Sequence, residues 1–327
     1  MNPTVLTIIV NYKSAGMSLQ SAQAANRAMT GIDGAITIVD NDSQDGSFET
    51  LRDATRDMPR VRVIQSGHNG GFGFGNNVAI NAGLPDGRAP DFVYLLNPDA
   101  FPDADAIQVL RDHMIAHPQT GFAGSAVRGE DGTPHEVAFH FPSAWSEFET
   151  AANTGVITRL LRNYRVPMGF PPATCAVDWC SGASVMFRRS MLDQIGLFDE
   201  TFFLYFEETE LCHRARAAGW AGMYVPKASV MHIGSVSTGM SNKARIPGYW
   251  FNSRAHYYRK TGGAGYLAVA TLFYVLGASI WKTRRLIERK EDRIPPYFLR
   301  DLVGHTFQTL MPGTLIRGKR TGAQEAP

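Results

Sequence analysis

Short apolar runs recur in the N-terminal part of the chain, and segments with helical periodicity separate them. Continuous apolar runs rich in β-branched residues are typical of strands buried on both faces of a parallel sheet. Strands that alternate with helices form right-handed βαβ units, so the pattern predicts an α/β fold with an open, mostly parallel sheet. The predicted strands cover residues 5–10, 35–39, 61–64 and 92–96, and the predicted helices cover 15–29, 47–55, 76–82 and 103–117.

The rest of the chain is less regular. Residues 128–174 lose the alternation and are rich in proline, glycine and aromatic residues, which predicts a loop region. From residue 247 onward the sequence is helical and basic. Between these two regions, the pattern predicts a strand over 183–187, a helix over 207–218, and two short strands over 223–225 and 230–232.

Charge is distributed unevenly along the 327 residues. Residues 1–240 hold 17 Lys and Arg against 25 Asp and Glu, whereas residues 241–327 hold 15 against 5. The acidic part suits a site that uses a cation, and the basic tail suits an anionic surface or lipid.

The N-terminal residues and the cysteines bear on the cellular compartment of the protein. The first residues enter an apolar strand directly, without the basic segment and cleavage site of a secretory signal. Cys175, Cys180 and Cys212 are odd in number and lack the spacing of a zinc site. We therefore expect a reduced, cytoplasmic protein whose thiols are free and buried.

Polar residues follow the predicted strands at their carboxyl ends, where an open parallel sheet binds its ligand. Carboxylate oxygens, phosphates and water are the ligands that Mg²⁺ and Mn²⁺ prefer, so these strand ends suit a nucleotide with a divalent cation. One of these groups, Asn97-Pro98-Asp99, would equally form a plain turn, since Asn, Pro and Asp are common turn residues. The groups are Asn11-Tyr12, Asp40-Asn41-Asp42-Ser43, Asn69 with its glycine loop, and Asn97-Pro98-Asp99.

The glycine-rich loop over residues 70–75 precedes a predicted helix and offers backbone N–H groups to a diphosphate. Asn76 stands where a dinucleotide-binding G-x-G-x-x-G motif requires its third glycine. The loop therefore disfavours an NAD-dependent enzyme.

The order and spacing of these motifs resemble family 2 glycosyltransferases, and more narrowly the rhamnosyltransferase branch that acts in cell-surface polysaccharide assembly. The resemblance covers residues 5–240 and implies a GT-A fold. It implies a donor-binding part over 1–127, an acceptor and catalytic part over 128–240, and a separate basic helical region over 241–327. The motifs are Val10-Asn11-Tyr12, Val39-Asp40-Asn41-Asp42-Ser43, Asn69-Gly70-Gly71-Phe72, Leu95-Leu96-Asn97-Pro98-Asp99, Trp179-Cys180-Ser181-Gly182-Ala183, Gly196-Leu197-Phe198-Asp199-Glu200 and Phe203-Leu204-Tyr205-Phe206-Glu207-Glu208.

The resemblance also implies roles for individual residues. Asp40 would hold the nucleobase and Asp99 the divalent metal, while Asn97 replaces the first acid of the family's Asp-x-Asp element and would contact ribose, phosphate or metal-bound water. His232 stands where relatives place a further metal ligand, which favours Mn²⁺ over Mg²⁺; an ordinary core or surface histidine is the alternative. The predicted substrate-binding residues are Asn11, Tyr12, Asp40, Asn41, Asn69, Gly70, Asn77, Asn97, Trp179, Gly182 and Ala183.

Two adjacent carboxylates, Glu207 and Glu208, open the predicted helix after an aromatic run. Aromatic walls raise a carboxyl pKa toward the value that a general base needs. The family usually has Glu-Asp here with Asp as the base, so Glu208 takes that role by position. Acidic residues that favour the helix dipole are the alternative, and Glu207 would fill that role. Glu210 and Arg214 have the spacing of a structural ion pair.

The tail contains an uncharged stretch over residues 261–281, followed by a basic flank. Three interpretations stand: a helix packed on protein or on the second subunit of a homodimer, an interfacial membrane helix over 261–290, and a membrane span. The basic flank consists of Lys282, Arg284, Arg285, Arg289 and Lys290.

The sequence thus predicts an inverting transferase that moves one sugar from a nucleotide-sugar to a hydroxyl of a glycan or lipid-linked acceptor. L-Rhamnose from dTDP-rhamnose follows from the branch resemblance alone. The Gln-x-x-Arg-Trp element of processive relatives is absent, and we expect no nucleic-acid partner. A catalytically inactive GT-A binding protein and a sugar-nucleotide pyrophosphorylase are the alternatives. The latter would have a glycine-rich basic loop after the first strand, where this chain has Asn11-Tyr12.

Overall fold

A computed structural model describes residues 2–234 and 245–311. These residues form two compact units. The sheet unit contains residues 2–139, 167–203 and 207–234, and the helical unit contains residues 140–166, 204–206 and 245–311. Parts of the predicted C-terminal region, at 241–244 and 312–327, lie outside the described residues.

The sheet unit is built from strands and from helices that flank them. Its helices are α1 (Ala15–Ala28), α2 (Ser47–Ala54), α3 (Phe72–Ala82), α4 (Ala106–Ala116), α7 (Arg189–Ile195) and α8 (Glu207–Ala217). Its strands are β1 (Val5–Asn11), β2 (Gly34–Asp40), β3 (Val61–Gln65), β4 (Phe92–Leu96), β5 (Ala100–Pro102), β6 (Thr120–Arg128), β7 (Pro134–His135), β8 (Ala138–Phe139), β9 (Cys175–Val177), β10 (Trp179–Cys180), β11 (Ser184–Arg188) and β12 (Ala221–His232).

The strand order of the main sheet is β3-β2-β1-β4-β11-β6-β12-β5. Strands β3, β2, β1 and β4 are parallel, as are β6 and β12, whereas β11 is antiparallel to β4 and β6. The prediction of a mostly parallel sheet is therefore confirmed. In the β1–β2 register Asn11 lies opposite Asp40, so the polar residues at these carboxyl ends lie side by side.

The core of the sheet unit lies between the sheet and its helices. All seven residues of β1 are buried, as a strand covered on both faces requires. Helix α1 packs with an alanine face, in which Ala22, Ala25 and Ala28 are buried. Small side chains let the helix lie close to the sheet, which brings its serines to the strand ends.

Three sequence-based predictions of secondary structure were wrong. Helix α3 begins at Phe72 rather than at residue 76, so glycines that were predicted to form a loop lie in its first turns. Close packing explains this, since a Cβ at Gly75 would lie 2.7 Å from Val10. The two short strands at 223–225 and 230–232 are one strand, β12, interrupted by a register shift between Val225 and Ser229.

The region 128–174 is also more regular than the predicted loop. It contains short strands, a 3₁₀ helix at Arg162–Tyr164, and two α-helices that belong to the helical unit, α5 (Ala144–Ala152) and α6 (Gly155–Leu160). A capping box formed by Ser143 and Ser146 starts α5, with serine in place of the usual Glu or Gln at the third position.

The helical unit is completed by α9 (Gly248–Glu288) and α10 (Phe298–Leu310). Helix α9 is interrupted at Gly263, whose φ of 81° is not helical. Its second part approaches α5 closely, since a Cβ at Gly277 would lie 2.5 Å from the Phe148 carbonyl oxygen. The buried Arg254 of α9 also donates to Glu147 of α5 at 3.0 Å.

Candidate active site

The ends of β1 and β2 form a buried polar cluster. The Asn11 side-chain amide donates to Asp40 Oδ1 at 2.8 Å and to the Ser43 hydroxyl at 3.2 Å. The Ser43 hydroxyl donates in turn to Asp40 Oδ1 at 2.5 Å. Ser18 of α1 donates to Asn11 Oδ1 at 2.8 Å. These bonds fix the Asp40 carboxylate at the sheet edge where a nucleotide is expected.

A second polar group ties the β2 end to the glycine loop. The Asn41 amide donates to Asn69 Oδ1 at 2.9 Å and to the Gly71 carbonyl at 3.1 Å. Asn41 Oδ1 is buried and has no hydrogen-bond partner within the described residues. Gly71 has a φ of 91°, and a Cβ there would lie 1.8 Å from the Phe203 carbonyl oxygen. Only glycine fits at this position.

A third group lies where β4 and β12 end. His232 Nε2 lies 3.0 Å from Asp99 Oδ1 and 3.3 Å from the Asn97 amide nitrogen. Asp99 is only 2% exposed. The His135 ring of β7 packs edge-on against His232, with centroids 6.3 Å apart. Strand β12 pairs with β5 directly after Asp99, and this pairing brings His232 to the Asp-containing turn.

The donor set of this third group fits a divalent metal. A carboxylate oxygen and an imidazole nitrogen are common ligands of Mn²⁺, and those of Asp99 and His232 already converge. Within residues 2–234 and 245–311, no group of three or more His, Cys, Asp or Glu side chains could hold a metal ion.

The carboxylates of α8 lie beside the start of β11. The Gly182 N–H donates to Glu208 Oε1 at 3.2 Å. The next residue, Ala183, accepts from the Asn97 N–H at 3.0 Å. Two consecutive residues thus connect Glu208 to the Asn97-Pro98-Asp99 turn.

Burial changes the acid strength of both carboxyl groups. Burial, and next the negative charge of Glu208, raise the pKa of Glu207 well above its ordinary value. Burial also raises the pKa of Glu208, while its own backbone and the Gly182 N–H oppose that rise. Glu207 Oε2 has no hydrogen-bond partner among the described residues. Burial therefore raises the pKa of both carboxyl groups, and the like charge between them adds to the rise.

The remaining predicted substrate-binding residues have other surroundings. The Asn77 amide donates to the Phe198 carbonyl at 2.9 Å and to Glu200 at 2.8 Å, which ties α3 to the loop before α8. The Trp179 ring stacks on Phe139 with centroids 4.2 Å apart. Neither contact tests a role in binding, and both roles stay predictions.

Tyr12 lies next to the polar cluster at the ends of β1 and β2, and Gly70 lies in the glycine loop that Asn41 contacts. Tyr12 follows β1 directly, and the Lys13 ammonium lies 5.2 Å from the centroid of the Tyr12 ring. The Gly70 N–H donates to the His68 carbonyl at 3.1 Å.

Sequence reasoning missed several residues of this region. His135 lies in the stretch without periodicity, and no local signal pointed to it. Ser43 was not predicted as a site residue, although its place at the end of the Asp-Asn-Asp-Ser motif was a signal for it. Ser21 of α1 donates to the Asn97 carbonyl at 3.1 Å, and together with Ser18 it places two polar residues on the helix face toward the site.

Two structural predictions from the sequence are confirmed. Arg214 donates to both oxygens of Glu210, at 2.8 and 2.9 Å, as the i,i+4 spacing predicted. Cys175, Cys180 and Cys212 are free; the latter two are buried and Cys175 is partly buried.

The fold and the site together define a GT-A glycosyltransferase. The fold is shared with the mannosyltransferase PcManGT of Pyrobaculum calidifontis, solved in complex with GDP-Man and Mn²⁺, at a TM-score of 0.54 and 13% identity over 95% of this chain and 88% of that one. It is also shared with S. aureus TarS 1–349, at a TM-score of 0.52 and 14% identity over 94% of this chain and 81% of that one. At these identities the likeness shows the fold alone.

The chain belongs to the glycosyltransferase-like family 2, which it matches over residues 3–247. It is 31% identical over 248 residues to the N-acetylglucosaminyl-diphospho-decaprenol L-rhamnosyltransferase of Mycobacterium tuberculosis, covering 72% of this chain and 78% of the relative. It is 26% identical over 165 residues to the rhamnosyltransferase WbbL of Escherichia coli, covering 50% of this chain and 60% of that relative. The resemblance to the rhamnosyltransferase branch is confirmed, and the chain is a glycosyltransferase.

Proposed function

We propose that this glycosyltransferase moves a single L-rhamnose from dTDP-L-rhamnose to a hydroxyl of a lipid-linked glycan, with inversion at the anomeric carbon. The names of two relatives support the sugar, and that of the mycobacterial relative supports an N-acetylglucosaminyl diphosphoryl polyprenol as acceptor. The donor nucleotide follows from the branch resemblance.

One observation carries the proposal. Through Gly182 and Ala183, Glu208 is hydrogen-bonded into the same backbone segment as the Asn97-Pro98-Asp99 turn. These hydrogen bonds support the proposal, because they link the proposed base to the turn that would hold the diphosphate. A side chain at position 182 would crowd this connection, since a Cβ there would lie 3.3 Å from Glu208 Oε1.

In the proposed reaction the Glu208 carboxylate takes the proton of the acceptor hydroxyl. The acceptor oxygen forms a bond to the anomeric carbon while the bond from that carbon to the diphosphate oxygen breaks on the opposite face. Asp99 and His232 would hold the divalent metal, which when bound stabilises the negative charge of the departing diphosphate.

The donor is tested by thermal unfolding with dTDP-rhamnose, UDP-glucose and GDP-mannose, each with Mn²⁺. A ligand that binds only the native state raises its stability by about 2.7 kcal/mol at a hundredfold excess over Kd. We expect the largest rise with dTDP-rhamnose. A larger rise with UDP- or GDP-sugar would refute the donor assignment, and turnover is then measured as release of the free nucleotide.

The control for this experiment is Glu208→Gln. The variant should bind the donor as the wild type does, yet release no dTDP when N-acetylglucosaminyl diphosphoryl polyprenol is added. Donor binding by the wild type without any turnover on this acceptor would favour another acceptor or a binding protein.

We further propose that the helical unit lies on the anionic inner face of the cell membrane. By length and composition α9 is the one described helix that could cross a bilayer, and 28% of its most apolar window is buried. One face of its second part is packed, with Leu267 and Trp281 buried. The opposite face is exposed and apolar, as is one face of α10. The exposed residues are Val269, Leu272, Leu276, Leu286 and Ile287 on α9, Val303 and Phe307 on α10, and Met311 directly after α10.

This arrangement favours an interfacial position, because one face is needed for packing and the other is free for lipid. The basic flank complements anionic headgroups. Three of its members are also engaged within the unit, as Arg284 and Lys290 pair with Glu288 and Arg285 pairs with Asp292. These pairs are partly exposed and therefore weak, so they leave the flank able to meet lipid.

Co-sedimentation with anionic liposomes tests this placement. Leu272→Gln with Leu276→Gln should abolish binding and preserve the unfolding temperature. The control Ile115→Gln changes an equally exposed apolar residue of the sheet unit and should bind as the wild type does. A wild type that stays in the supernatant at low salt, and elutes as a dimer, would show that these faces pair two copies instead.

A further inference from the structure

Residues 155–165, named the arginine segment below, form a short stretch at the surface of the helical unit. The segment contains α6 and the 3₁₀ helix that follows it. It carries three arginines and no acidic residue. Val156, Leu160 and Tyr164 recur at every fourth position, which is the spacing of one helix face. The segment is therefore apolar and basic at once.

The apolar side chains of the arginine segment are exposed. No residue of α6 is buried. Val156 is 71% exposed, Leu160 is 77% exposed and Tyr164 is 46% exposed. Single exposed apolar residues are common on protein surfaces, but a group of them on one face indicates a binding surface. The arginine segment thus presents such a face to its surroundings.

Polar contacts hold the segment without the help of these side chains. The Thr158 hydroxyl donates to the buried carboxylate of Glu149 on α5, at 2.5 Å. The Arg165 guanidinium lies 4.0 Å from the same oxygen of Glu149. One residue of α5 therefore contacts the segment near its middle and at its end, which leaves Val156 and Leu160 available to a partner.

The segment lies next to α9 and its basic flank within the helical unit. Trp145 of α5 is 45% exposed, and its ring centroid lies 6.1 Å from that of Tyr164 and 5.0 Å from that of Phe273 on α9. Arg284 of the basic flank donates to the Asn153 carbonyl at 3.0 Å, two residues before the segment begins. The arginine segment is thus a neighbour of the helix that is proposed to lie on the membrane.

The charges of the segment are less engaged than those of the basic flank. Arg159 and Arg162 are exposed, and neither forms an ion pair with another described residue. In the flank, by contrast, Arg284 and Lys290 both pair with Glu288. Unpaired arginines attract anionic headgroups, and exposed Trp and Tyr rings favour the headgroup level of a bilayer. This combination fits an anionic lipid surface.

We propose that the arginine segment is a second membrane contact of the helical unit, in addition to α9 and α10. Val156 and Leu160 enter the apolar boundary of the headgroup layer, while Arg159 and Arg162 bind lipid phosphates. The inference rests on the proposed membrane placement of the helical unit. It gives α6 a role in holding the enzyme at the surface that carries a lipid-linked acceptor.

Sedimentation with vesicles of phosphatidylcholine and phosphatidylglycerol tests both parts of the contact. Arg159→Gln with Arg162→Gln should lower the partition coefficient by about 25-fold at low salt, since each charge near an anionic surface contributes about fivefold. This loss should vanish at high salt and with phosphatidylcholine alone. Val156→Gln with Leu160→Gln should lower partitioning at low and at high salt, because salt does not screen apolar burial.

A matched control removes the same net charge from the sheet unit. Arg27→Gln with Lys227→Gln changes two exposed basic residues and should partition as the wild type does. The substituted positions of the arginine segment are also exposed, so the variants should keep the wild-type unfolding temperature.

A second measurement covers a variant that does not fold. Leu160→Trp places a fluorophore in the proposed contact, and brominated phospholipid should quench its fluorescence beyond the wild-type level. Ile115→Trp, at an exposed apolar position of the sheet unit, should show no such additional quenching. Equal quenching of the two variants would contradict the proposed contact.

The outcomes separate this inference from the membrane placement on which it rests. If either segment variant partitions as the wild type does, the inference is overturned, whereas a loss in Leu272→Gln with Leu276→Gln would still support the placement of α9. An equal loss in the charge control would also overturn it, because net charge would then be the cause. A wild type that stays in the supernatant would overturn the membrane placement, and this inference with it.

Discussion

Replacing each carboxylate of the α8 pair by its amide tests the assignment of the base. Glu208→Gln keeps the oxygen that accepts from Gly182 and the shape of the side chain, so the site should stay intact. The variant loses only the ability to take a proton. General-base catalysis contributes about 10²- to 10⁴-fold, which corresponds to about 2.7–5.4 kcal/mol of activation free energy at ~1.36 kcal/mol per tenfold.

Glu207→Gln is the matched variant at the neighbouring position. Glu207 is 2% exposed, and its Oε2 has no described partner. Burial raises the pKa of Glu207 and so favours its neutral acid, which the amide resembles, and most of the activity should remain.

The assay is kcat as a function of pH under saturating donor and acceptor. For the wild type, activity requires ionised Glu208 and should fall as pH falls through its pKa. Burial raises that pKa, so the acidic limb should lie above the ordinary value of 4.5. A Glu208→Gln enzyme that keeps more than about a tenth of the wild-type kcat would refute the assignment. So would a Glu207→Gln enzyme that is the more impaired of the two.

Three further predictions concern the metal, the glycine loop and the buried acid. Asp99→Ala should abolish Mn²⁺-dependent nucleotide binding in calorimetry, whereas the exposed Asp105→Ala should not; unchanged affinity in Asp99→Ala would remove this residue from the site. Gly71→Ala should destabilise the fold more than Gly67→Ala in thermal unfolding: both have a positive φ, which costs about 1–2 kcal/mol, but only at Gly71 does a Cβ overlap a carbonyl oxygen. Glu207→Gln should gain stability relative to the wild type as pH rises above 4.5. The pKa of Glu207 is raised in the folded state, so its contribution to stability is complete below the unfolded-state pKa and is lost as pH rises toward the folded-state pKa. A stability difference that does not depend on pH would contradict this.

The sequence by itself determined the repeating elements of the sheet. The β-branched apolar run of β1 predicts a strand covered on both faces, and parallel pairing then brings the polar residues that end β1, β2 and β4 to one edge. The motif order was enough to point to Asp99 and Glu208, because each lies beside a recognisable local signal, a strand end or a helix start. The Glu210–Arg214 pair was likewise local.

The tertiary structure decided what depends on residues far apart in the chain. The hydrogen bonds that connect Glu208 to the Asn97-Pro98-Asp99 turn through Gly182 and Ala183 exist because β11 lies antiparallel between β4 and β6. No local sequence pattern predicts that β11 pairs with these two strands. The continuity of β12 comes from its long pairing with β6, which outweighs the irregular stretch between its ends. The left-handed backbone at Tyr205 and Phe206 contradicts the preferences of these bulky residues and is imposed by contacts with α9. Local preferences cost a kilocalorie or two per residue, so packing and hydrogen bonds from distant segments can override them.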